Sequence, residues 1–486
     1  MKKCISIILI LVIISTFTSC KNKNDEELYN YSGTIITYMY TPDFMNPLAT
    51  AYKTNAQVLS MMYSPLFNVK NDLTVEPVVA EKYGFLDSTT LEVTLKSDFT
   101  FTDGTVLSAS DVIASLDYLK KFKKNMYHGI FDYVESYYKG VGNTITFKLK
   151  KGGSSVIPYL DFPIVKGGNK KIGSGPYRYV SRDNDCMIMT ANKTSKTQTK
   201  TKTIKVKIYA KEKMQNSAFV NNEINVVNSD IYDLAQFSSK KNTNIKEYAS
   251  DYFTFLGFNN EKITDINIKK AIAYTIDKDD LTSTVLVGHA LKTASPFRPN
   301  TIYDTTQGLD YKKNTDKAKE FLKRSELVPN DIAFSILVNS ETPSKQKTAE
   351  YLASTLSESG MNITVTSVNY KTYIQKIKNM EYDMFIGEIQ MPHSYDLTFL
   401  LKGENLFNYN NELIDEYIDK VNYSSYTSRP EAAKELNKIL LNKLPFISLY
   451  FRQNMLVTSK EIYGSFDISP ENVYYDIINW ESKKED

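Results

Sequence analysis

Cysteine is scarce in this chain of 486 residues, which has only Cys4, Cys20 and Cys186. Two of them fall in the first twenty residues, so the body of the protein holds a single thiol and no internal disulfide is expected. Cys186 lies in the strand-like run Asp185-Cys186-Met187-Ile188-Met189-Thr190, where a buried, inert thiol is expected rather than a nucleophile. Histidine is equally rare: His128, His289 and His393 stand alone in sequence with no second ligand at metal spacing, and each is expected at the surface or in a loop. Charge of one sign is not in excess either. Against 59 basic residues stand 56 acidic ones, a balance that argues against nucleic acid as a partner. Catalytic signatures are missing, with no Gly-x-Ser-x-Gly elbow, no His-Glu-x-x-His and no Walker loop. Gly173-Ser174-Gly175 could suggest a phosphate cradle, but Pro176 follows it without an amide to donate, so a structural turn is expected. No catalytic residue, metal ligand or cofactor is therefore assigned.

What is present begins at the start of the chain. Lys2 and Lys3, the apolar run 5–14 and the short segment 15–19 before Cys20 make a secretory signal peptide over residues 1–20. The apolar run is too short for a membrane span, which needs about 20 apolar residues. A cysteine directly after small residues resembles the bacterial lipobox, with Phe17 where leucine is usual. That resemblance implies a lipid-modified Cys20 at the mature N-terminus. Residues 21–31 are polar and charged, which suits a flexible tether.

Residues 98–122 carry the densest local information. Asp103-Gly104 is turn chemistry, and Ser108 with Asp111 three residues on is a capping box. Val112, Ile113, Leu116 and Leu119 then recur at helical spacing, after Leu91, Val93 and Leu95 alternate as a strand. Ile204, Val206 and Ile208 alternate with Lys205 and Lys207, predicting a strand with one basic, solvated face. Residues 252–260 read as another strand, and Asp265 caps a helix after it. Farther on, 332–338, 363–368 and 382–389 read as strands with a helix at 348–359 between the first two. Strand, helix, strand with short joints predicts parallel pairing and an α/β fold.

The string Phe101-Thr102-Asp103-Gly104-Thr105-Val106-Leu107-Ser108-Ala109-Ser110-Asp111-Val112 closely resembles the signature of the family 5 extracellular solute-binding proteins, the peptide- and nickel-binding components of ABC importers. Further blocks resemble the family in order along the chain. They are Met45-Asn46-Pro47 after the first strand, Glu76-Pro77 with Ala80-Glu81, and Gly173-Ser174-Gly175-Pro176-Tyr177. Leu256 to Asn259, followed by Lys269-Lys270-Ala271-Ile272-Ala273 and Ile276-Asp277, makes another, and the closing strands with Trp480 complete the set.

The resemblance implies a bilobal, periplasmic-binding-protein-like α/β fold of the large cluster C type, with three subdomains and a hinge. The division it implies is lobe I from residues 32–58, 172–257 and 468–486, an extra subdomain II over 59–171, and lobe III over 258–467. It further implies a monomeric, membrane-anchored lipoprotein facing the periplasm or the cell exterior. Such a protein would capture oligopeptides between its lobes and deliver them to ABC permease subunits. A same-fold receptor for a nickel chelate or other small solute, or a sensor lipoprotein without its own permease, is the alternative.

The resemblance places one wall of the ligand site at Tyr40, Phe44 and Asn46, and the other at Gly387, Glu388, Gln390, His393, Tyr395 and Asp396. Here the chain departs from the peptide-binding pattern. Glu388 stands where a tryptophan is usual, and Met391 where an aspartate pairs with the peptide's amino terminus. Either Glu388 or Asp396 supplies that charge, or the ligand is not a free-amino peptide. His393 is the least improbable metal contact.

Overall fold

The computed structural model describes residues 33–41, 46–167, 171–304, 310–325 and 332–483. Residues 1–31, where the signal peptide, the lipid-modified Cys20 and the tether are expected, lie outside them, as does Phe44.

The capping box at Ser108 forms as the sequence predicts. Ser108 and Asp111 exchange side-chain and backbone bonds, and the helix Ala109–Leu119 begins there with Val112, Leu116 and Leu119 fully buried. Before it, Gly104 takes φ +83° in the predicted turn, a conformation that costs a glycine little. The helix packs on an antiparallel sheet in the order Ala80–Asp87, Thr90–Leu95, Thr144–Leu149, Val134–Lys139. Leu91, Val93 and Leu95 point from that sheet into the core, as their alternation demands.

A second four-stranded sheet runs Thr34–Tyr40, Thr203–Tyr209, Cys186–Ala191, Tyr177–Arg182. Its first pair is parallel and the others are antiparallel. Ile204 and Val206 are fully buried while Lys205 and Lys207 stay partly exposed, which matches the basic face read from the sequence. Cys186 is half-buried, and burial pushes its thiol above the ordinary value. The Gly-Ser-Gly-Pro segment leads into the Tyr177–Arg182 strand by pressing on the chain at Met62. A Cβ on Gly173 would lie 1.8 Å from the Met62 carbonyl oxygen, so only glycine fits. One continuous core joins this sheet to the first, from Ile35 and Met39 through Phe101 and Leu116 to Trp480.

The third sheet is organised by two long antiparallel strands, Thr243–Phe258 and Phe446–Ser459. Outward from them lie Val226–Asp230 on one side, and Met384–Gln390, Ala333–Asn339 and Asn362–Val368 on the other. The last three pair in parallel, as the strand-helix-strand reading requires, with the helix Pro343–Glu358 packed across them. Side chains alternate between two cores: Leu256, Phe258, Ile336, Val338 and Ile386 enter one, and Phe253, Phe255, Leu337 and Phe385 the other. A sheet covered on both faces needs apolar residues at both parities, which is why these strands read as nearly continuous apolar runs.

At about 3.3 Å per residue the two long strands each extend some 45–50 Å. Their far halves, with Ile245, Met455 and Val457, pack instead with Ile36, Tyr38 and Val227 beside the second sheet. The lobes are thus tied by a two-stranded ribbon that crosses from one to the other.

Candidate functional site

The crossing ribbon breaks step at two places, and the larger break lies before Phe253. Between Ala249 and Phe253 the pairing register shifts, and Ser250, Asp251 and Tyr252 bulge from the ladder. The bulge turns Asp251 into the junction of the lobes, where it is 6% exposed. Its carboxylate accepts from the Tyr395 hydroxyl at 2.9 Å and lies 3.2 Å from the Arg298 guanidinium. Arg298, fully buried after the short strand Ala290–Lys292, also donates to the Asn71 side chain at 2.9 Å and its carbonyl at 2.6 Å. Asn71 belongs to the hairpin of Phe67–Val69 and Val75–Pro77, so this guanidinium bridges separate parts of the chain.

Beside it sits His393, just past the strand Met384–Gln390. Its Nε2 lies 2.9 Å from Glu471, its Nδ1 lies 3.7 Å from Asp161, and its ring stacks on Tyr159 at 5.5 Å. Glu471 also accepts from Lys53 at 3.0 Å, at the start of the helix Lys53–Ser60. Three carboxylates and three basic groups, each from a different segment, therefore share the junction. Removing one member of such a buried set leaves an opposite charge stranded, at a cost of about 3–5 kcal/mol.

The local field sets the protonation of this cluster. Burial alone would depress His393, but the charge and hydrogen bond of Glu471, with Asp161 beyond, raise it to about 9. It is a cation at neutral pH. Burial pushes Asp161 up to about 6 against the pull of His393. Asp251 also rises to about 6 through burial, with Arg298 pulling it down and neighbouring Glu471 pushing it up. Burial opposes the charge on Glu471 too, yet His393 and Lys53 hold it well below the usual range.

A second set of contacts closes the lobes alongside. Tyr133 and Ser394 share a hydrogen bond of 2.9 Å, and Arg429 donates to the Ser394 carbonyl at 2.6 Å. Asn422 donates to Asp396 at 2.6 Å, while its own carbonyl accepts from Ser155 at 2.6 Å.

The residues expected as ligand contacts fall into several places. His393 and Tyr395 lie inside the charge cluster; His393 is in a loop, as expected, but that loop is turned inward and leaves its ring largely buried between two carboxylates rather than at the surface. The sequence shows one histidine and cannot show what the fold brings against it. Asp396 is next to the cluster and caps its own loop, accepting from the Thr398 amide at 2.8 Å. Glu388 stands apart in another ionic group, 3.3 Å from Lys345 and 3.9 Å from Arg452, which also meets Asp230 at 3.3 Å. Gly387 faces Phe255, whose ring a Cβ would meet at 2.3 Å, so packing accounts for that glycine. Gln390 is exposed at the strand end opposite Tyr252. On the other wall, Tyr40 is buried edge-on to Tyr38, and Asn46 is 1% exposed with its Nδ2 lacking a partner among the described residues.

Lys53, Asp161, Asp251, Arg298 and Glu471 were not singled out by sequence reasoning. Two carried a faint signal: Asp251 directly precedes an apolar strand, and Arg298 sits between Phe297 and Pro299 in an otherwise uncharged stretch. Both placements put a charge where burial is expected, and buried charges are rare unless paired.

Residues 74–403 match the sequence family described as bacterial extracellular solute-binding proteins, family 5 Middle. The chain is 21% identical to the dipeptide-binding protein DppE of Bacillus subtilis, over 87% of this chain and 88% of that protein. It is 19% identical to the nickel-binding protein NikA of Staphylococcus aureus, over 87% and 89% of the two chains. Its fold is similar to that of the oligopeptide-binding protein AppA of Bacillus subtilis, solved with a nonapeptide, at TM-score 0.61 and 18% identity over 92% of this chain and 98% of that one.

Proposed function

Because the chain belongs to the family 5 bacterial extracellular solute-binding proteins, with their bilobal cluster C fold, we propose that it captures a peptide at the junction of its lobes. In this reading the closed complex then delivers the peptide to ABC permease subunits. The observation that carries it is the buried junction cluster, in which carboxylates and cations face one another from both lobes. A free peptide brings one ammonium and one carboxylate, and the cluster offers partners for each. Asp161, Asp251 and Glu471 suit the ammonium, and Arg298 and Lys53 suit the carboxylate. An enclosed ammonium without a carboxylate would cost several kcal/mol, comparable to the roughly 8 kcal/mol that micromolar binding represents. The aspartate missing at Met391 thus has substitutes within the junction.

The proposed contact set keeps Tyr40, Phe44 and Asn46 on one wall and Gly387, Glu388, Gln390, His393, Tyr395 and Asp396 on the other, framed by lobes I and III as divided above. Lipid attachment at Cys20 would hold a monomer at the outer face of the cell membrane, in the periplasm or at the cell exterior, and the family reading assigns binding rather than catalysis.

Native mass spectrometry of protein lacking residues 1–20, purified from peptide-rich medium, tests the ligand class. A ladder of adduct masses that sequence as peptides is expected. A single discrete adduct would instead favour a dedicated solute such as a nickel chelate, and no adduct would reject the peptide reading. Calorimetry on Asp251→Asn, Glu388→Gln and Asp396→Asn then tests the charge assignment, which fails if all three bind as the parent does.

A further inference from the structure

The strand Thr203–Tyr209 has a neighbour on each side in its sheet, yet one of its faces carries cations without counter-charges. Lys205 and Lys207, two residues apart, share that face about 7 Å from one another. Across the sheet they stand opposite Ile36 and Tyr38 on one side and Ile188 and Cys186 on the other, so no carboxylate faces them. Arg178 is exposed on the same face, in register with Thr190 and through it with Thr203. Lysines often guard the open edge of a sheet, but an interior strand has no edge to guard. The loop before the strand adds Lys193, Lys200 and Lys202, all exposed. Across residues 193–213 eight lysines stand against Glu212 alone, and among the described residues only Lys196 of them is ion-paired, with Asp98. The whole chain has 59 basic and 56 acidic residues, so the surplus is local and the rest of the molecule is net negative.

The point where the chain enters the fold is a second, independent observation. Thr34 opens the first strand of this sheet and pairs with Thr203, one residue from Lys202. The chain between Cys20 and Thr34 spans at most about 50 Å when fully extended. An anchor at Cys20 therefore keeps this corner of the sheet close to the bilayer. The reach is still several times the screening length of about 8 Å at physiological salt, so the tether alone leaves the orientation open. Residues 21–31 carry Lys21 and Lys23 against Asp25, Glu26 and Glu27, so attraction to a charged surface has to come from the folded face.

We propose that this basic face is a docking surface for anionic lipid headgroups, and that it lays the anchored protein on the membrane by the sheet at which its chain enters. The proposal rests on the lipid-anchor reading of Cys20 and is independent of which solute the lobes bind. Each lysine brought to an anionic leaflet raises the partition about 5-fold, so several acting together hold one orientation where a single one would not.

Vesicle co-sedimentation of protein lacking residues 1–20, which keeps every described residue, measures the face without the anchor. Binding is expected to vesicles of phosphatidylglycerol and phosphatidylcholine at about 3:7, but not to phosphatidylcholine alone, and it should fall as salt rises from about 50 to 500 mM. Replacing Lys200, Lys202, Lys205 and Lys207 together by Gln should lower it about 100-fold or more. None of the four side chains makes a hydrogen bond or ion pair among the described residues, so circular dichroism should match the parent. A control with Lys312, Lys313, Lys319 and Lys323 replaced by Gln removes as much charge from exposed positions elsewhere and should bind as the parent does. Equal binding to both vesicle types, or an equal loss in both variants, would overturn the proposal. So would an absence of binding to the anionic vesicles, which would leave the face to an acidic protein partner. The intact mass of the full chain extracted from membranes reports the lipid on Cys20 separately, so failure of the anchor reading is distinguishable from failure of the docking face.

Discussion

His393 makes lobe contact depend on pH in a direction that can be worked out. Its imidazole faces Glu471 and Asp161, with Lys53, Asp251 and the Tyr127 and Tyr159 rings around them. In the folded protein it titrates at about 9; unfolded, it would titrate near 6.5. A raised histidine stabilises the fold fully below the unfolded value and loses that contribution as pH rises through the folded one. The window is therefore about pH 6.5 to 9, and the difference corresponds to about 3 kcal/mol. Asp161 and Asp251, raised to about 6, act in the same direction but at lower pH. Their contribution is complete below about pH 4 and gone above about 6, so the two windows do not overlap. The chain has only three histidines, which makes imidazole NMR direct. The resonance that disappears in His393→Asn should titrate near pH 9 in the parent. His393→Asn should cost up to about 3 kcal/mol at pH 6 and little at pH 9.5 by denaturant titration, and small-angle scattering should show the parent expanding across the same window. Titration of His393 below pH 7, or an equal cost at both pH values, would refute the buried ion pair as the latch.

Arg298→Gln should destabilise by about 3–5 kcal/mol in denaturant titration, because it leaves Asp251 buried without its cation. Gly387→Ala should cost about 1–3 kcal/mol by the same measurement, since its methyl group would run into the Phe255 ring beside the crossing ribbon. Gly173→Ala should cost more, because the obstacle is the Met62 backbone rather than a side chain. Ser108→Ala should cost about 1 kcal/mol by removing half of the capping box, with ligand affinity measured by calorimetry unchanged.

Local elements were legible because they are decided by neighbours in the chain. The capping box at Ser108 and Asp111, the turn at Gly104 and the strand Thr90–Leu95 each follow from residues a few positions apart. The parallel trio of the third sheet was legible for a related reason: strand, helix and short joints leave one favoured handedness. The ribbon was only half visible. Residues 252–260 read as a strand, but the polar, alternating stretch before them gave no sign that the same strand continues back to Thr243 and into the other lobe.

The site was less legible still, and for a physical reason. Asp161, Asp251, Arg298, His393 and Glu471 are separated by up to 310 residues, and no periodicity links a carboxylate to a cation across such spans. Glu388 looks like a free carboxylate in sequence, and only the fold brings Lys345 and Arg452 against it. By itself the sequence determined the α/β character and the family, because these rest on local composition and short motifs. The tertiary structure alone decided which charges meet. An ion pair in a low-dielectric junction is a property of the distance between side chains, and that distance is set by two strands crossing from lobe to lobe and bulging at Asp251.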